Sequence, residues 1–356
     1  MERKGAKMEG SKRVGIQPPF PKRLYPRKLE LTPTNLHLVG PPEVGKTSLV
    51  FHFLKYRFKG EWTYIDFQNP RYSSNWEEFE KVELAIIDNY LPTDGVVEKI
   101  AKRRGPTFLI SSPSVPTPAG FIRKKVWGLD WEEFLLAYPH LTSSDQPLTP
   151  YLQGGAIPGG VGLDRFNLEK LEWRILERLS LPRPLVVELF SRLGEKVTRF
   201  SLFKKVSRTS PLSKDRFYGE LERLKREGVL FEVPKWKAPH SPRKYFSYNP
   251  SFKLLFLETK PLDYLIPAFY YINRLVEEQV FYTDLLTFYI PARNLGVICS
   301  PFPNWVKLEG LIEQVLKEHP QLRLEVVVFN NIDEESFQWS WQERVKVVSF
   351  PQLCVE

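Results

Sequence analysis

The eight residues Gly40-Pro-Pro-Glu-Val-Gly45-Lys46-Thr47 place two glycines, a cation and a hydroxyl at the spacing G-x-x-x-x-G-K-T. Those residue types in that order suit a phosphate chain. Glycines let the backbone wrap an anion, the amide N–H groups converge on it at a helix start, and the helix dipole adds to the attraction. Gly40, Pro41, Pro42, Glu43, Val44, Gly45, Lys46, Thr47 and Ser48 are therefore the candidate nucleotide-binding set. In it Lys46 would neutralise the β- and γ-phosphates, and the Thr47 hydroxyl would bind Mg2+.

A metal held there needs a carboxylate from a neighbouring strand. Leu84-Ala-Ile-Ile-Asp88 supplies four apolar residues and then an acid, the Walker B form. The competing reading of Asp88 is an N-cap after any buried strand. The next position, where a second carboxylate would polarise the attacking water, is Asn89. An amide orients water but is a poor base, so the sequence speaks for binding and leaves turnover open. Phe108-Leu-Ile-Ser111-Ser112 ends a third apolar run in hydroxyls that could reach the γ-phosphate or the water. A serine before Pro113 is equally ordinary turn chemistry. Asp66, near the end of Trp62–Phe67, suits a turn, a ribose contact or catalysis.

Such a site has to be held by a framework. The apolar runs Leu36–Val39, Trp62–Phe67, Leu84–Ile87 and Phe108–Ile110 alternate with helical stretches, the pattern of a parallel α/β sheet. Val126–Leu129 is a fifth, weaker strand candidate ahead of the amphipathic Trp131–Tyr138. The stretch Pro139 to Leu163, rich in Pro, Gly, Ser and Thr, reads as loop. Beyond Phe166, Leu168, Leu171, Ile175 and Leu179 recur at helical spacing, and three further helices end with Lys214–Glu227 before Gly228. Strands are expected over Val229–Val233 and Lys244–Tyr248. From Pro261 the expected order is helix, strand (Val280–Ile290), strand (Leu295–Cys299), helix (Lys307–Glu318), strand (Leu324–Phe329) and strand (Val345–Phe350). The domain layout is a basic flexible tail (1–28), a P-loop NTPase domain (29–163), a helical lid and winged helix (164–258), and a small α/β domain (259–356).

Composition narrows the partners. Lys and Arg number 51 against 42 acids, a net charge of +9 that favours polyanions, nucleic acid among them. Cys299 and Cys354 are too few for a disulfide framework or a conventional zinc site, which makes a reducing cytoplasm the expected location. No apolar run approaches the ~18 residues of a membrane span. Met1–Arg13 is basic but leads into no apolar segment, so no secretory signal is expected.

With these pieces placed, the chain resembles the archaeal-type ATPases of the AAA/STAND group, which join an AAA-like ATPase to a winged helix and a nuclease-like region. The resemblance runs from Leu36 to about residue 250 and more loosely beyond. It rests on Gly40–Thr47, Tyr64-Ile-Asp66 with Asn69-Pro70-Arg71, Leu84–Asp88, Phe108–Ser112, Trp131-Glu-Glu-Phe134-Leu and Gly154-Gly155-Ala-Ile-Pro158. The chain departs from it at Asn89, where relatives usually carry an acid.

In 164–258, Phe200–Ser207 would be the positioning helix of a winged helix, Arg208–Leu212 the turn and Ser213–Glu227 the recognition helix, with Ser213 as N-cap. The helix mixes Lys214, Arg216, Arg223, Lys225 and Arg226 with Asp215, Glu220, Glu222 and Glu227. The wing carries Lys235, Lys237, Arg243 and Lys244 with Trp236 and His240, against Glu232 alone. Cations interleaved with an aromatic suit DNA backbone or minor-groove contact through 199–248; the alternative is a protein-binding or nucleotide-lid module. The last 98 or so residues resemble a restriction-endonuclease-like fold. There Asp284 stands where a first acid belongs, but Ile298 and Ser300 replace the second acid and the lysine, so cleavage is not expected.

The function expected is that of an ATP-binding P-loop ATPase whose Mg-ATP binding and slow hydrolysis switch a winged-helix module near DNA. Asp88, Asn89, Ser111 and Ser112 are its candidate catalytic residues, and Thr47 and Asp88 its metal ligands. A homo-oligomer would let Arg103, Arg104 or Arg123 reach a neighbour's phosphate. The alternative is a nucleotide-gated, STAND-like protein-interaction module with little hydrolysis and no DNA binding.

Overall fold

All four residues of the run Leu36–Val39 are buried, which a strand achieves only inside a sheet covered on both faces. The computed structural model, which describes residues 12–138, 148–257, 261–329 and 343–353, places that run in a six-stranded parallel sheet. In chain order its strands are β1 (Lys12–Arg13), β2 (Leu36–Val39), β3 (Glu61–Asp66), β4 (Leu84–Asp88), β5 (Thr107–Ser111) and β6 (Ile122–Lys125). Across the sheet the order is β1-β3-β4-β5-β2-β6. Helices α1 (Lys46–Tyr56), α2 (Trp76–Phe79) and α3 (Asp94–Lys102) join them.

Strand alternation sends side chains to the two faces in turn. On one face α1 sets Phe53 against Phe108 and Phe51 against Tyr64, each pair with ring centroids 5.6 Å apart. On the other, Ile65, Ala85, Ile87 and Leu109 bury against Phe79, Val82, Tyr90 and Ile100. β5 lies between the strand that feeds the glycine loop and the strand that ends in Asp88. A parallel sheet with a glycine loop and helix following an inner strand is the P-loop NTPase fold.

Two expectations change here. The segment 1–28 is not a flexible tail over its described part. β1 pairs with β3, the Phe20 ring lies 5.7 Å from Phe51 with the Arg13 guanidinium over it, and Asn75 Nδ2 donates to Ile16 O at 2.7 Å. The weaker strand expected around Val126–Leu129 falls instead on β6, Ile122–Lys125. It is an edge strand, and such strands can face water with cations outward.

The chain divides into two compact units. The first holds the described residues up to Leu129 together with Ile157–Gly159 and Arg226–Gly228. The remainder forms the second, so Asp130–Ala156 clusters with the later helices rather than with the sheet. In the second unit α4 (Trp131–Ala137) and α5 (Leu148–Pro150) precede α6 (Arg165–Arg178), α7 (Arg183–Phe190), α8 (Arg199–Val206) and α9 (Lys214–Arg226). The polar residues at their starts set where they begin. Asp164 accepts from Asn167 N at 3.0 Å ahead of α6, and Thr198 with Ser201 forms a reciprocal cap on α8. Strands β7 (Leu230–Val233) and β8 (Lys244–Ser247) pair antiparallel, and Val197 bridges to Arg243 as a further antiparallel edge.

After α10 (Leu262–Tyr270), β9 (Phe288–Ile290), β10 (Leu295–Cys299), β11 (Arg323–Val328) and β12 (Val345–Ser349) form a sheet of order β12-β11-β10-β9. β9 alone runs antiparallel to its neighbour. Helix α11 (Trp305–Glu318) buries Leu308, Ile312, Val315 and Leu316 against it. The long strand expected over Val280–Ile290 is interrupted. Thr283 Oγ1 accepts from Leu285 N and Leu286 N, closing a tight turn, and Phe281 bridges back to Tyr289. Asp284 therefore sits in a turn, not on a strand facing Ile298. Its carboxylate pairs with Lys235 at 2.6 Å and Lys196 at 3.8 Å. The sequence reading of Cys354 lies outside the described residues. Among the described residues no helix is long and apolar enough to cross a membrane.

Candidate nucleotide-binding site

The turn from β2 into α1 needs its glycines. A Cβ on Gly40 would stand 2.1 Å from the Val126 carbonyl oxygen. Gly45 adopts a left-handed φ of 89° immediately before α1, and a Cβ there would meet Pro158 Cγ at 3.0 Å. Glu43 is also left-handed, with φ 60°. No side chain caps α1 and no acid occupies its first turn. The amides of Lys46, Thr47 and Ser48 thus begin a helix that offers donors to an anion. Arg27 braces the loop from behind, donating to Val44 O at 3.0 Å and to Trp127 O at 2.8 Å.

Lys46 folds back over the loop, donating to Gly40 O at 2.8 Å and Pro41 O at 2.6 Å. Burial pulls its ammonium down to about 8, with Asp88 and Glu43 opposing the shift. A phosphate would replace two carbonyl partners with a full counter-charge.

Asp88 ends β4 almost wholly buried, 7% exposed. The Thr47 hydroxyl and the Tyr64 phenol each donate to its Oδ2 at 2.6 Å, and Asn89 N donates to Oδ1 at 2.8 Å. Burial raises its carboxyl above the usual carboxylate range while these three donors pull it back. Tyr64 was not anticipated in this role. It lies two residues before Asp66, so strand alternation puts both on the face of Asp88. Tyr64→Phe is expected to cost about 1–3 kcal/mol, because it leaves a buried carboxylate one donor short. Urea unfolding of the two proteins measures it.

Asn89 takes a left-handed φ of 52°, which turns its amide towards β3. There Nδ2 donates to Asp66 Oδ1 at 2.8 Å. Asp66 and Asp88 are partners across the parallel pair β3–β4, so two carboxylates and an amide meet at one end of the sheet.

Ser111 and Ser112 do not join them. Register pairs Ile87 with Leu109, so Ile110 shares the face of Asp88 and Ser111 turns to the opposite one. On that far face Ser111 Oγ meets His37 Nε2 at 2.7 Å and donates to Ser112 O, while His37 Nδ1 meets Thr117 Oγ1 at 2.9 Å. Burial pulls the His37 imidazole down to about 4, so it is neutral near pH 7. Ser112 Oγ lies 2.7 Å from Ser114 Oγ. Of the candidate arginines, Arg103 donates to Phe79 O and Val82 O, and Arg123 to Pro113 O, Val115 O and Thr117 Oγ1. Arg104 remains exposed.

The oxygen donors of Thr47 and Asp88 suit a hard divalent cation such as Mg2+. Among the described residues no group of three or more His, Cys, Asp or Glu could hold a metal. A magnesium here would draw its other ligands from phosphate oxygens and water, as P-loop sites do.

Several cations of 199–248 are engaged within the second unit. Glu232 binds Arg199 at 2.7 Å, Lys225 at 2.6 Å and Arg243 at 2.8 Å. Lys235 is taken by Asp284. Lys244 is partly buried, with its ammonium lowered by that burial. Trp236 packs edge-on against Phe281 and Tyr289, with centroids 4.8 and 5.0 Å away. Lys204, Arg208, Lys214, Arg216, Arg226 and Lys237 of the same segment are exposed.

No protein-family description matches this chain, and no curated protein does. Solved structures similar to it include the Walker-type ATPase of Pyrococcus abyssi, 15% identical, which aligns over 62% of this chain and 90% of that one with a TM-score of 0.42. Another is a signal transduction ATPase with numerous domains (STAND) protein with a tetratricopeptide repeat sensor from Pyrococcus horikoshii. It is 16% identical and aligns over 70% of this chain and 46% of that one with a TM-score of 0.28. Identities and TM-scores at this level assign neither family nor activity.

Proposed function

We propose that this chain binds ATP with Mg2+ at Gly40–Ser48 and hydrolyses it slowly, as a switch ATPase akin to the archaeal-type STAND group. The observation that carries the reading is the Thr47 hydroxyl bonded to the buried Asp88 carboxylate beside a glycine loop that opens a helix. Lys46 exchanges its two carbonyl partners for the β- and γ-phosphates, and the loop amides hold the chain of phosphates. Magnesium, when bound through Thr47 and Asp88, supplies charge to the phosphate oxygens.

Hydrolysis needs a base, and Asn89 cannot supply one. Asp66 takes that role in this reading, because its carboxylate lies beside Asp88 on the loop-facing side of the sheet and is held by Asn89 Nδ2. Asn89 then positions the base rather than replacing it. Phosphate release by the purified chain tests the assignment. Turnover that requires Mg2+ is expected, whereas none at saturating ATP would reduce the chain to a binding module.

A second reading draws on the wing. Residues 164–258 have the element order of a winged helix, yet Glu232 and Asp284 take up Arg199, Lys225, Arg243 and Lys235. That favours a nucleotide-gated module that recruits a protein, or a second copy, over one that grips DNA. A salt-dependent shift of labelled duplex DNA separates the two, and no shift is expected at about 0.15 M salt. Residues 259–356 fit a nuclease-like scaffold without its chemistry, since Asp284 is in a turn and Ile298 and Ser300 stand at the other two positions. The two cysteines in the sequence fit a reducing cytoplasm.

A further inference from the structure

The second unit contains a cavity of about 250 Å³ apart from the glycine loop. Phe134, Tyr138, Leu168, Leu254 and Leu257 give it an apolar side, and Glu172 of α6 also lines it. That glutamate is 2% exposed. Both of its hydrogen bonds, from Asn249 Nδ2 at 3.0 Å and from Ser251 Oγ, fall on Oε1. Oε2 has no hydrogen-bond partner among the described residues.

A buried carboxylate with one satisfied oxygen is costly unless a cation or donor completes it. Nothing cationic in the wall does so. Asp164 and Glu169 add negative charge to the lining, and Arg165, the one cation there among the described residues, is held by Glu169 at 2.7 Å. Burial pushes the Glu172 carboxyl up to about 7, a shift that a neighbouring cation would reverse. Size agrees with an organic ligand, since an apolar cavity of about 150 Å³ holds benzene.

We propose that this cavity binds a small apolar molecule bearing a protonated amine, with the ammonium on Glu172 Oε2 and the hydrocarbon among Phe134, Leu168 and Leu254. Glu172 gives the site its charge preference, and the leucines and aromatics give it shape. The site is independent of the nucleotide reading, because none of its residues belongs to the glycine loop or the sheet.

Calorimetric titration of the full chain with 2-phenylethylamine, and with the neutral 2-phenylethanol as its isostere, tests the proposal. The amine should bind saturably at one site and at least tenfold more tightly than the alcohol. Glu172→Gln should abolish that preference. Leu254→Trp should fill the cavity and weaken both ligands tenfold or more with the carboxyl left in place. A wild-type far-ultraviolet circular dichroism spectrum and a cooperative melt in each variant report that the chain is folded. No saturable amine binding, equal affinity for amine and alcohol, or an undiminished preference in Glu172→Gln would overturn the proposal. If Glu172→Gln does not fold, undiminished amine binding by Leu254→Trp overturns it equally.

Discussion

Lys46→Ala is expected to weaken ATP binding by about 100-fold, since charge-assisted hydrogen bonds to phosphate amount to about 3 kcal/mol. The fold should survive. Lys46 bonds two carbonyl oxygens of its own loop, and losing a desolvated cation relieves as much as it removes. A melting temperature within a few degrees of wild type would confirm that the loss lies in the site. The same lysine gives the binding a pH signature. Its free-state pKa of about 8 lies below the ordinary lysine value, and phosphate raises it again. Below about pH 7 this lysine is already protonated in the free protein and adds no pH dependence of its own. Above about pH 8 the affinity falls, by up to tenfold per unit, because the free protein must take up a proton to bind. Lys46→Ala removes the lysine and with it that decline.

Asp66→Asn is the second large effect. General-base catalysis contributes about 10²–10⁴-fold, so phosphate release should drop at least 100-fold. ATP affinity should stay within about threefold, since this carboxylate makes no hydrogen bond to the loop, to Thr47 or to Asp88. Asn89→Ala should cost less than tenfold, because it removes the group that holds the base and leaves the base itself. Wild-type turnover in Asp66→Asn would place the base elsewhere, and a parallel loss of affinity would mean that Asp66 organises the loop rather than the water.

The sheet was legible wherever burial wrote a continuous apolar run. Leu36–Val39 and Leu84–Asp88 are buried at every position, so their sequences could only be inner strands. Ile122–Lys125 carries three cations because it closes the sheet at an edge, and its signal was lost to the apolar Val126–Leu129 that follows. In the site, Gly40–Thr47 and Asp88 could be read from spacing because the chemistry fixes local residue types. What could not be read was register. Ser111 ends a strand next to the loop strand, as expected, but a shift of one residue decides which face it serves, and Ile110 holds the useful one. The Asp66–Asn89 pair was hidden for a related reason. In the proposed reading the acid that position 89 lacks stands one strand across, at Asp66, where only strand pairing reveals it. At the wing the partner of Lys235 could not be read from the sequence, since Asp284 lies 49 residues away along the chain and 2.6 Å away in space.

The central claim is that a loop of backbone amides and one lysine grips the outer phosphates of a nucleotide. Competition binding on the full chain with Mg2+ and a fluorescent ATP analogue tests it most directly. ATP and ADP should displace the analogue at a one-to-one stoichiometry, and AMP should fail by at least 100-fold, since the grip is on the β- and γ-phosphates. Displacement by AMP as effective as by ATP, or no saturable binding of the analogue, would contradict it.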